Sequence, residues 1–436
     1  MTMSPDTTRG GKKKLWFDLM TASPDATRAG RKKLWLDVFD EVRLPDDEDI
    51  IVLADGAWDD VMAATHGQAA ACFQCGVCSA TCPWGLVRPE PVIIRHLVRQ
   101  AQLGVPDWTE ALWLCTTCGQ CSAQCPRGID IPDVIRGLRS IAWKERQVPP
   151  GLPTLLWNVY WDGNPYGRPP SERSSWMKDL DLQEFSAEDE VLLYLGCTAN
   201  YDRRIQKVAR ALVQVLNAAG VRFGVLKDRE PCCGDAARGA GHDGYADEIA
   251  AEGSRLFREL GVRTVVAISP HCLDQFVHHF DMPDGFRALH YTQYLRELME
   301  GGHLCIKGEL PLKVTFHDPC YLGRQQGDYE SPRQVLAGIR GVELIEMAHN
   351  RQEALCCGGG GGRMWLETPA SQRFADMRVA EARETGADLI GTACPHCISC
   401  LEDSAAGDGN LRVADVAEVL AWALAKSPAV EAGTQR

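Results

Sequence analysis

Residues 72–83 have the sequence CFQCGVCSATCP, and residues 115–126 repeat its cysteine spacing as CTTCGQCSAQCP. In each stretch three cysteines follow one another at intervals of three, and a fourth stands four residues later, before a proline. This spacing binds pairs of [4Fe-4S] clusters, with the fourth cysteine of each run reaching the cluster of the other run. We therefore expect two cubane clusters on Cys72, Cys75, Cys78, Cys82, Cys115, Cys118, Cys121 and Cys125.

Zinc binding and disulfide formation account less well for these cysteines. A zinc site needs pairs of cysteines that close one tetrahedron, whereas the chain has two runs of four. Disulfides belong to exported proteins, and the N-terminus is basic and polar with no apolar segment behind it. Because the chain has 19 cysteines in 436 residues, we expect a cytoplasmic redox protein, with a peripheral position on a membrane complex left open.

The overall composition restricts the class of partner. The formal net charge of -13 argues against nucleic acid, which needs a basic protein face. No uncharged apolar run approaches the ~20 residues that span a bilayer, so we expect no transmembrane segment. A redox protein is the partner that this composition favours.

The chain divides into six segments by composition and repetition. In residues 1–60, an N-terminal extension, the triplet at 4–6 recurs nineteen residues later at 23–25, and each copy continues into a basic cluster and a Leu-Trp pair. This extension is either an interfacial docking arm or a weakly ordered segment. The other boundaries are expected at 61–150 for the two-cluster domain, 151–185 for a proline-rich linker, 186–305 and 306–426 for two repeats, and 427–436 for a tail.

Two helices are predicted in the two-cluster domain. The insert between Cys82 and Cys115 is 32 residues long, and the apolar spacing at 91–98 suits a helix. Residues 133–145 have the pattern of a second, amphipathic helix. Small ferredoxins have a β-hairpin in place of this insert, so the sequence favours the α-helical di-cluster form found in respiratory complexes.

From residue 190 onward the sequence repeats itself with a period of about 124 residues. The anchors of the repeat are Cys197 with Cys320, the pair Cys232-Cys233 with Cys356-Cys357, and Cys272 with Cys397. Each repeat alternates hydrophobic strands with helical stretches, which predicts two α/β layers with parallel strands. The cysteines follow strands, and the carboxyl ends of strands are where open α/β sheets place their sites.

The Cys-Cys-Gly loops suit a cluster better than a single ion. Adjacent cysteine side chains diverge, so their sulfurs more readily reach different irons of a larger cluster. The glycine that follows each pair removes Cβ bulk and allows close approach, and we expect Gly358 and Gly359 to lie against a bound cluster. A phosphate-binding loop is the alternative for the five glycines that end at Gly362, but the strand-Gly-x-Gly-x-x-Gly-helix order is missing.

These motifs resemble heterodisulfide reductases. The paired Cys-Cys-Gly repeats are similar to the catalytic subunit, and residues 72–79 and 113–131 resemble the ferredoxin-like subunit, so the chain resembles a fusion of the two. Residues 317–324 and 356–365 also resemble iron-sulfur subunits of glycolate, lactate and glycerol-3-phosphate oxidation and of electron-transfer-flavoprotein:quinone systems. The resemblance implies a mixed fold, with an α-helical di-cluster ferredoxin domain followed by two tandem α/β Cys-Cys-Gly (CCG) repeats.

The resemblance implies that a complete repeat holds a non-cubane [4Fe-4S] cluster through five cysteines. The second repeat supplies all five, as Cys320, Cys356, Cys357, Cys394 and Cys397. The first repeat has Ser269 at the position of Cys394 and keeps Cys197, Cys232, Cys233 and Cys272. These four could bind a further, altered cluster, with Ser269 or Asp274 as a weak oxygen ligand, or they could be a vestige of duplication.

Three histidines and two cysteines near these motifs have less certain roles. His271 and His396 precede ligand cysteines, and His396 is the possible proton donor to a leaving thiolate, although capping of the strand end is the commoner role. His317 is expected to make a structural hydrogen bond. Cys305 and Cys400 are expected to stay unligated.

Two functions fit the sequence. In the first, an oxidoreductase subunit passes electrons through the two cubane clusters to the non-cubane cluster, which reduces or forms a disulfide-like bond. In the second, the subunit only relays electrons between a flavoprotein dehydrogenase and a membrane cytochrome or quinone-reducing partner. Ser269 weakens the first, because the reductase mechanism is thought to use two non-cubane clusters, whereas the ferredoxin resemblance favours it. Both predict a hetero-oligomeric complex.

Overall fold

The computed structural model describes residues 56–88, 94–103, 110–406 and 411–426. Nearly all of the N-terminal extension, including its duplication, and the expected tail at 427–436 lie outside these residues. In the described part of the chain, no helix is both long and apolar enough to cross a bilayer.

All regular elements described between residues 56 and 144 are helical, as the sequence predicts. The helices are Ala57–Ala64, Val77–Ala80, Trp84–Val87, Ile94–Gln102, Glu110–Leu114, Gln120–Ala123 and Ile131–Lys144, with a 3-10 turn at Gln68–Ala71. Asp130 caps the last and longest helix by accepting a hydrogen bond from the Asp133 N–H at 3.4 Å. That helix buries Val134, Ile135 and Leu138 in the core of the ferredoxin domain.

Residues 151–185, predicted as a linker, contain an α-helix, Gly151–Asp162. No helix was predicted there from the sequence. Its side chains Leu152, Leu155 and Val159 are buried. Beyond it, the Arg173 side chain is 2% exposed and donates to the Gly163 and Glu230 carbonyls. The segment is therefore packed against the ferredoxin domain and the first repeat.

The first repeat is built on a parallel sheet of four strands within the described residues, in the order β2-β1-β3-β4. The strands are β1 Val191–Tyr194, β2 Phe223–Gly224, β3 Thr264–Ala267 and β4 Arg287–His290. The helices of this repeat are Gly196–Tyr201, Arg203–Ala218, Asp235–Gly239, Asp243–Glu259, Pro270–His278 and Tyr291–Glu300. Continuous apolar runs form β1 and β3 because the sheet is covered on both faces.

The second repeat has the same topology, with the strand order β6-β5-β7-β8 among the described residues. Its strands are β5 Glu309–Phe316, β6 Arg340–Ile345, β7 Leu389–Thr392 and β8 Arg412–Asp415. Its helical elements are the π-helical turn Tyr321–Gln325 and the α-helices Ser331–Ala337, Phe374–Glu384, Pro395–Ala405 and Val416–Ala425. The predicted mixed fold is thus confirmed, and β3 and β7 lie close to the strands that the sequence predicts at 264–268 and 388–392.

The two repeats share one hydrophobic core. The helix Arg203–Ala218 of the first repeat packs against Val416–Ala425 of the second. At the edge of this contact, the Arg204 guanidinium pairs with the Glu402 and Glu418 carboxylates at 2.5 and 2.8 Å. The Tyr291 hydroxyl donates to Asp415 at 2.6 Å across the same boundary. The equivalent cysteine loops of the two repeats are therefore held in a fixed relation.

Candidate iron-sulfur centres

The structure sorts the eight ferredoxin cysteines into two sets of four that cross between the sequence runs. Three cysteines of the first run and the last of the second line one cavity, namely Cys72, Cys75, Cys78 and Cys125. Three of the second run and the last of the first line another, namely Cys115, Cys118, Cys121 and Cys82. This is the exchange of fourth cysteines that the spacing predicts.

The backbone of both runs is shaped in the same way. The residue before the second cysteine has a left-handed conformation although it is not glycine, with φ of 65° at Gln74 and 51° at Thr117. The glycine after that cysteine is also left-handed, with φ of 87° at Gly76 and 75° at Gly119. Such conformations are costly for a residue with a Cβ and persist only where surrounding contacts require them. They turn the cysteines toward a common centre.

Burial makes these thiols poor acids without a metal. Desolvation raises the pKa of the Cys82, Cys115 and Cys121 thiols. The thiolate form of such a group needs a positively charged partner inside the cavity. Four thiols around one small cavity with apolar walls suit an iron-sulfur cluster.

The two ferredoxin sets differ in depth. In the outer set Cys75 is exposed, and the neighbouring Phe73 ring is 59% exposed. In the inner set Cys118 and Cys121 are buried. The outer set therefore faces the surface, and the inner set faces the second repeat.

The second repeat brings its five predicted ligands together. All five are buried: Cys320, Cys356, Cys357, Cys394 and Cys397. The Sγ atoms of Cys357 and Cys397 are 3.4 Å apart. Cys357, Cys394 and Cys397 lie in one cluster of packed buried side chains, and Cys320 and Cys356 lie in the cluster that includes the ferredoxin core.

Cys356 connects this group to the inner ferredoxin set. Its Sγ lies 3.5 Å from the hydroxyl of Thr116, in the loop between Cys115 and Cys118. Nearby, the Tyr321 and Thr117 hydroxyls are 2.9 Å apart. The adjacent cysteines thus diverge as expected, because Cys356 faces the ferredoxin domain while Cys357 faces Cys397.

His317 also belongs to this group of side chains. From the sequence, we expect only a structural hydrogen bond for it. One of its ring nitrogens and the Sγ atoms of Cys357 and Cys397 all lie within 4.8 Å of one another. Its Nδ1 accepts from Arg378 Nε at 3.1 Å, so the neutral ring carries its proton on Nε2. Burial and the Arg378 charge lower the pKa of His317 well below its usual range. Its place after β5, three residues before Cys320, was the available signal.

The glycine run has two separate roles. Gly358 has a φ of 97°, and its N–H donates to Cys356 Sγ at 3.3 Å. A Cβ on Gly359 would lie 3.2 Å from Cys400 Sγ and 3.0 Å from Met364 Sδ. Further along, a Cβ on Gly360 would lie only 2.3 Å from the Thr116 carbonyl oxygen. The run therefore shapes the cysteine loop and also lets the ferredoxin domain approach it.

The first repeat also gathers its four cysteines, all of them buried: Cys197, Cys232, Cys233 and Cys272. Cys197 and Cys232 lie in one cluster of packed buried side chains, and Cys233 and Cys272 lie in another. Ser269, at the fifth position, accepts a hydrogen bond from the His271 N–H at 3.3 Å and caps the helix Pro270–His278. The Asp274 carboxylate accepts from Gln326 at 3.0 Å. Both candidate oxygen ligands thus have protein partners.

The Pro-His-Cys loops of the two repeats meet. The His271 and His396 ring centroids are 4.4 Å apart, and His271 stacks on Tyr321 at 3.9 Å. His271 Nδ1 lies 3.2 Å from the Asp235 carboxylate, and the ring lies close enough to the Cys394 thiol for each group to affect the pKa of the other. Burial opposes protonation of His271, but Asp235 and Cys394 raise its pKa well above the usual range.

His396 has the opposite electrostatic environment. Burial and the neighbouring His271 charge lower the pKa of His396 to about 4. Its Nδ1 has no hydrogen-bond partner among the described residues. Near neutral pH the ring is therefore uncharged, whereas His271 from the other repeat is the charged donor at this group of thiols.

The two remaining cysteines differ from each other. Cys305 is exposed on the connector between the repeats. Cys400 is half-buried, lies 3.7 Å from Met364 Sδ, and lines a cleft that also reaches Cys357.

Comparisons with known proteins agree with this geometry. The profile of the cysteine-rich CCG domain matches residues 191–277 and 314–402, and the 4Fe-4S dicluster domain matches residues 68–129. The chain therefore contains two CCG domains and a 4Fe-4S dicluster domain. The matched segments contain both ferredoxin runs and most of each repeat, which supports iron-sulfur binding in both regions.

Several curated CCG proteins are similar to this chain. A probable membrane-anchored ferredoxin of Chromohalobacter salexigens is 32% identical over 82% of the chain and 60% of its own length. An EtfAB:quinone oxidoreductase of Syntrophomonas wolfei is 33% identical over 72% of the chain and 46% of its own length. A CoB–CoM heterodisulfide reductase subunit of Methanosarcina barkeri is 32% identical over 61% of the chain and 66% of its own length. The chain thus spans about half of the first two relatives.

Proposed function

We propose that the chain is an electron-transferring oxidoreductase subunit whose second CCG repeat reduces, or forms, a disulfide-like bond. The main support for this proposal is the contact between Cys356 Sγ and the Thr116 hydroxyl, which are 3.5 Å apart. It joins the loop between Cys115 and Cys118, which belong to the inner ferredoxin set, to the five-cysteine group. An outer set at the surface, an inner set and the second repeat then form a continuous order from the exterior to a buried end point.

The ligand assignments follow this order. The outer set would hold one cubane [4Fe-4S] cluster and the inner set a second, four thiols each. Cys320, Cys356, Cys357, Cys394 and Cys397 would hold a non-cubane [4Fe-4S] cluster, with Gly358 and Gly359 against it. When bound, these clusters would supply one-electron transfer between a protein partner and the second repeat. A cluster in the first repeat remains a separate proposal, since Ser269 already caps a helix.

Two histidines would prepare the second repeat for chemistry on sulfur. The neutral His317 ring lies next to Cys357 and Cys397, with its Nδ1 occupied by Arg378. The charged His271 ring, paired with Asp235, lies beside Cys394. Donors to sulfur stabilise negative charge on thiolates. His271 is better placed than His396 to supply a proton, because it is the one that keeps a positive charge.

A relay without a substrate of its own is the second candidate function. The relatives named as a membrane-anchored ferredoxin and a quinone oxidoreductase match more of the chain than the reductase subunit does. The incomplete ligand set of the first repeat favours this candidate too. In that case the partners would be a flavoprotein and a membrane cytochrome or quinone-reducing subunit, within a hetero-oligomeric complex peripheral to a membrane.

Thiol release distinguishes the two functions. The full chain, purified anaerobically with its clusters, would be reduced chemically and given an organic disulfide, and free thiols would be counted. We expect turnover in the wild type and in Cys305→Ala, the exposed-cysteine control, and its loss in Cys357→Ala. Full thiol release by Cys357→Ala would refute disulfide chemistry at the second repeat. A wild type that releases no thiol but reduces a quinone analogue would favour the relay.

A further inference from the structure

A cleft of about 210 Å³ opens beside the second-repeat cysteines. Cys357, Gly358 and Gly359 form part of its wall, and Cys400 and Arg363 line it as well. Cys400 stands one helical turn after Cys397 on the helix Pro395–Ala405. A thiol outside the five-cysteine group thus shares a solvent-accessible space with one of its members.

A second feature of the cleft points to an anionic ligand. Arg363 is only 8% exposed, and its Nε has no hydrogen-bond partner among the described residues. One guanidinium nitrogen donates to the Glu367 carbonyl at 2.9 Å and to the Thr368 hydroxyl at 2.6 Å. A buried guanidinium with a free N–H is costly unless a ligand completes its hydrogen bonds.

The remaining charges of the cleft add to this preference. Arg373 lines it and is exposed, whereas Asp403 is the one carboxylate among its described lining residues. Two guanidinium groups against one carboxylate leave a net positive charge. The whole chain carries a formal charge of -13, so a positive cleft is a local exception.

We propose that this cleft binds the substrate of the proposed disulfide chemistry, a small disulfide that carries an anionic group, and that Cys400 is the thiol that attacks it. Arg363 and Arg373 would hold the anionic group. The Cys400 thiolate would form a new S–S bond with one half of the substrate, the original S–S bond would break, and the other half would leave as a thiolate. Two electrons from the low-potential protein donor of the proposed function would then cleave the mixed disulfide, restoring the Cys400 thiolate and releasing the second thiolate.

The glycine run, residues 358–362, explains why Cys400 is accessible next to Cys357. A Cβ on Gly359 would approach Cys400 Sγ to 3.2 Å, closer than nearly all such contacts. The absence of a side chain there leaves Cys400 Sγ free of that contact. The Met364 Sδ atom lies 3.7 Å from Cys400 Sγ. It is an apolar neighbour of the thiol and does not compete with a substrate for it.

Labelling of Cys400 tests the proposal without requiring electron delivery. The cluster-loaded full chain would be treated anaerobically with 3,3'-dithiodipropionate, which is dianionic, or with neutral bis(2-hydroxyethyl) disulfide, and mixed disulfides would be located by mass spectrometry. The exposed Cys305 serves as an internal reference. At Cys400 we expect labelling about ten-fold faster with the anionic probe than with the neutral one, after normalisation to Cys305.

Variants of the arginines complete the test. Arg363→Gln and Arg373→Gln should each reduce the anionic preference at Cys400, while Arg229→Gln, an exposed arginine outside the cleft, should leave it unchanged. Absence of label on Cys400 while Cys305 reacts would overturn the proposal, and so would equal labelling by both probes. If Cys400 reacts as expected but the wild type releases no thiol under reducing conditions, the proposed function fails and the binding site stands.

Discussion

Arg139 is the side chain on which the assembly of the domains depends most. It is fully buried and donates to the carbonyls of Leu112 and Cys115 in its own domain. It also donates to the Gly239 carbonyl of the first repeat and the Gly361 carbonyl of the second. One guanidinium thus satisfies backbone acceptors in all three parts of the molecule.

Replacement of Arg139 by methionine should therefore destabilise the protein. The change leaves buried carbonyls without donors, which costs on the order of 3 kcal/mol or more. We expect a lower thermal unfolding midpoint and faster iron loss in anaerobic protein, followed by circular dichroism and absorbance. Arg88→Met removes an ion pair with the exposed Glu110 and a contact of the guanidinium with the Trp84 ring at 5.9 Å, and it should have little effect. Equal stability of the two variants would contradict this role of Arg139.

His271 should tune the second-repeat centre although it belongs to the first repeat. Loss of the charged ring beside Cys394 removes a group that stabilises negative charge, so His271→Ala should lower the midpoint potential of that centre by about 60 mV. EPR-monitored redox titration measures this shift. His303→Ala, which changes an exposed histidine, should leave the potential unchanged. An unshifted potential in His271→Ala would show that the contact has no influence.

Asp415 should make stability depend on pH. Burial raises its pKa from 3.8 to about 7 in the folded protein. The folded state therefore holds the proton more tightly than the unfolded state, and this stabilisation is complete below about pH 4 and is lost as the pH rises through 7. Asp415→Asn should flatten the change of thermal midpoint between pH 5 and pH 8. Asp284→Asn, at an exposed site, should keep the wild-type slope, and a wild-type slope in Asp415→Asn would contradict the assignment.

Some of these residues could be predicted from sequence, and others could not. The cysteine spacing predicts the two ferredoxin sets, and the resemblance supplies the five-cysteine group. The contacts of His271 with Cys394 and of Arg139 with Gly361 join parts of the chain more than one hundred residues apart. Nothing in local spacing encodes them, because they depend on how the repeats pack.

At the scale of elements, the critical contact lies between the glycine run, residues 358–362, and the loop of the ferredoxin domain that contains Thr116. A methyl group on Gly360 would meet the Thr116 carbonyl oxygen at 2.3 Å, and neither backbone can give way easily. The Cys356 Sγ atom, 3.5 Å from the Thr116 hydroxyl, lies at the same boundary. The long glycine run is therefore needed where two backbones approach each other closely. The sequence indicated only a close approach of the glycines to a cluster.

Gly360→Ala should consequently weaken the coupling between the domains without removing cysteine ligands. We expect chemical reduction of the ferredoxin centres to proceed as in the wild type, and electron transfer to the second repeat to slow several-fold. Rapid-freeze EPR of anaerobic protein would measure both steps. Gly244→Ala is the matched control, because a Cβ there meets no atom within 4 Å. Wild-type transfer in Gly360→Ala would contradict the importance of this contact.

The strands were easier to anticipate than the connection between domains. Apolar runs and repeated cysteine anchors predicted β3 and β7 closely, since buried parallel strands are hydrophobic throughout. The helix Gly151–Asp162 was not predicted, because prolines and glycines surround it. In addition, its apolar residues do not follow a clear helical period. Its stability comes from packing against its neighbours, which composition does not show.

At the scale of the whole molecule, the two repeats have the same strand topology but differ in the number of cysteines that their loops supply. The first lacks the fifth cysteine, yet it supplies His271 and Asp235 to the second. It also provides one of the backbone acceptors that Arg139 binds. Duplication followed by specialisation of one copy accounts for both features, and it makes the second repeat the expected end point of electron transfer.

The number of clusters tests the central claim most directly. Iron and sulfide would be measured together with EPR on the anaerobically purified full chain, in the wild type and in a Cys356→Ala/Cys357→Ala variant, with Cys232→Ala/Cys233→Ala as the first-repeat counterpart. We expect about twelve irons in the wild type, a loss of about four in the second-repeat variant, and no loss in the counterpart. About eight irons, unchanged by the second-repeat variant, would contradict it.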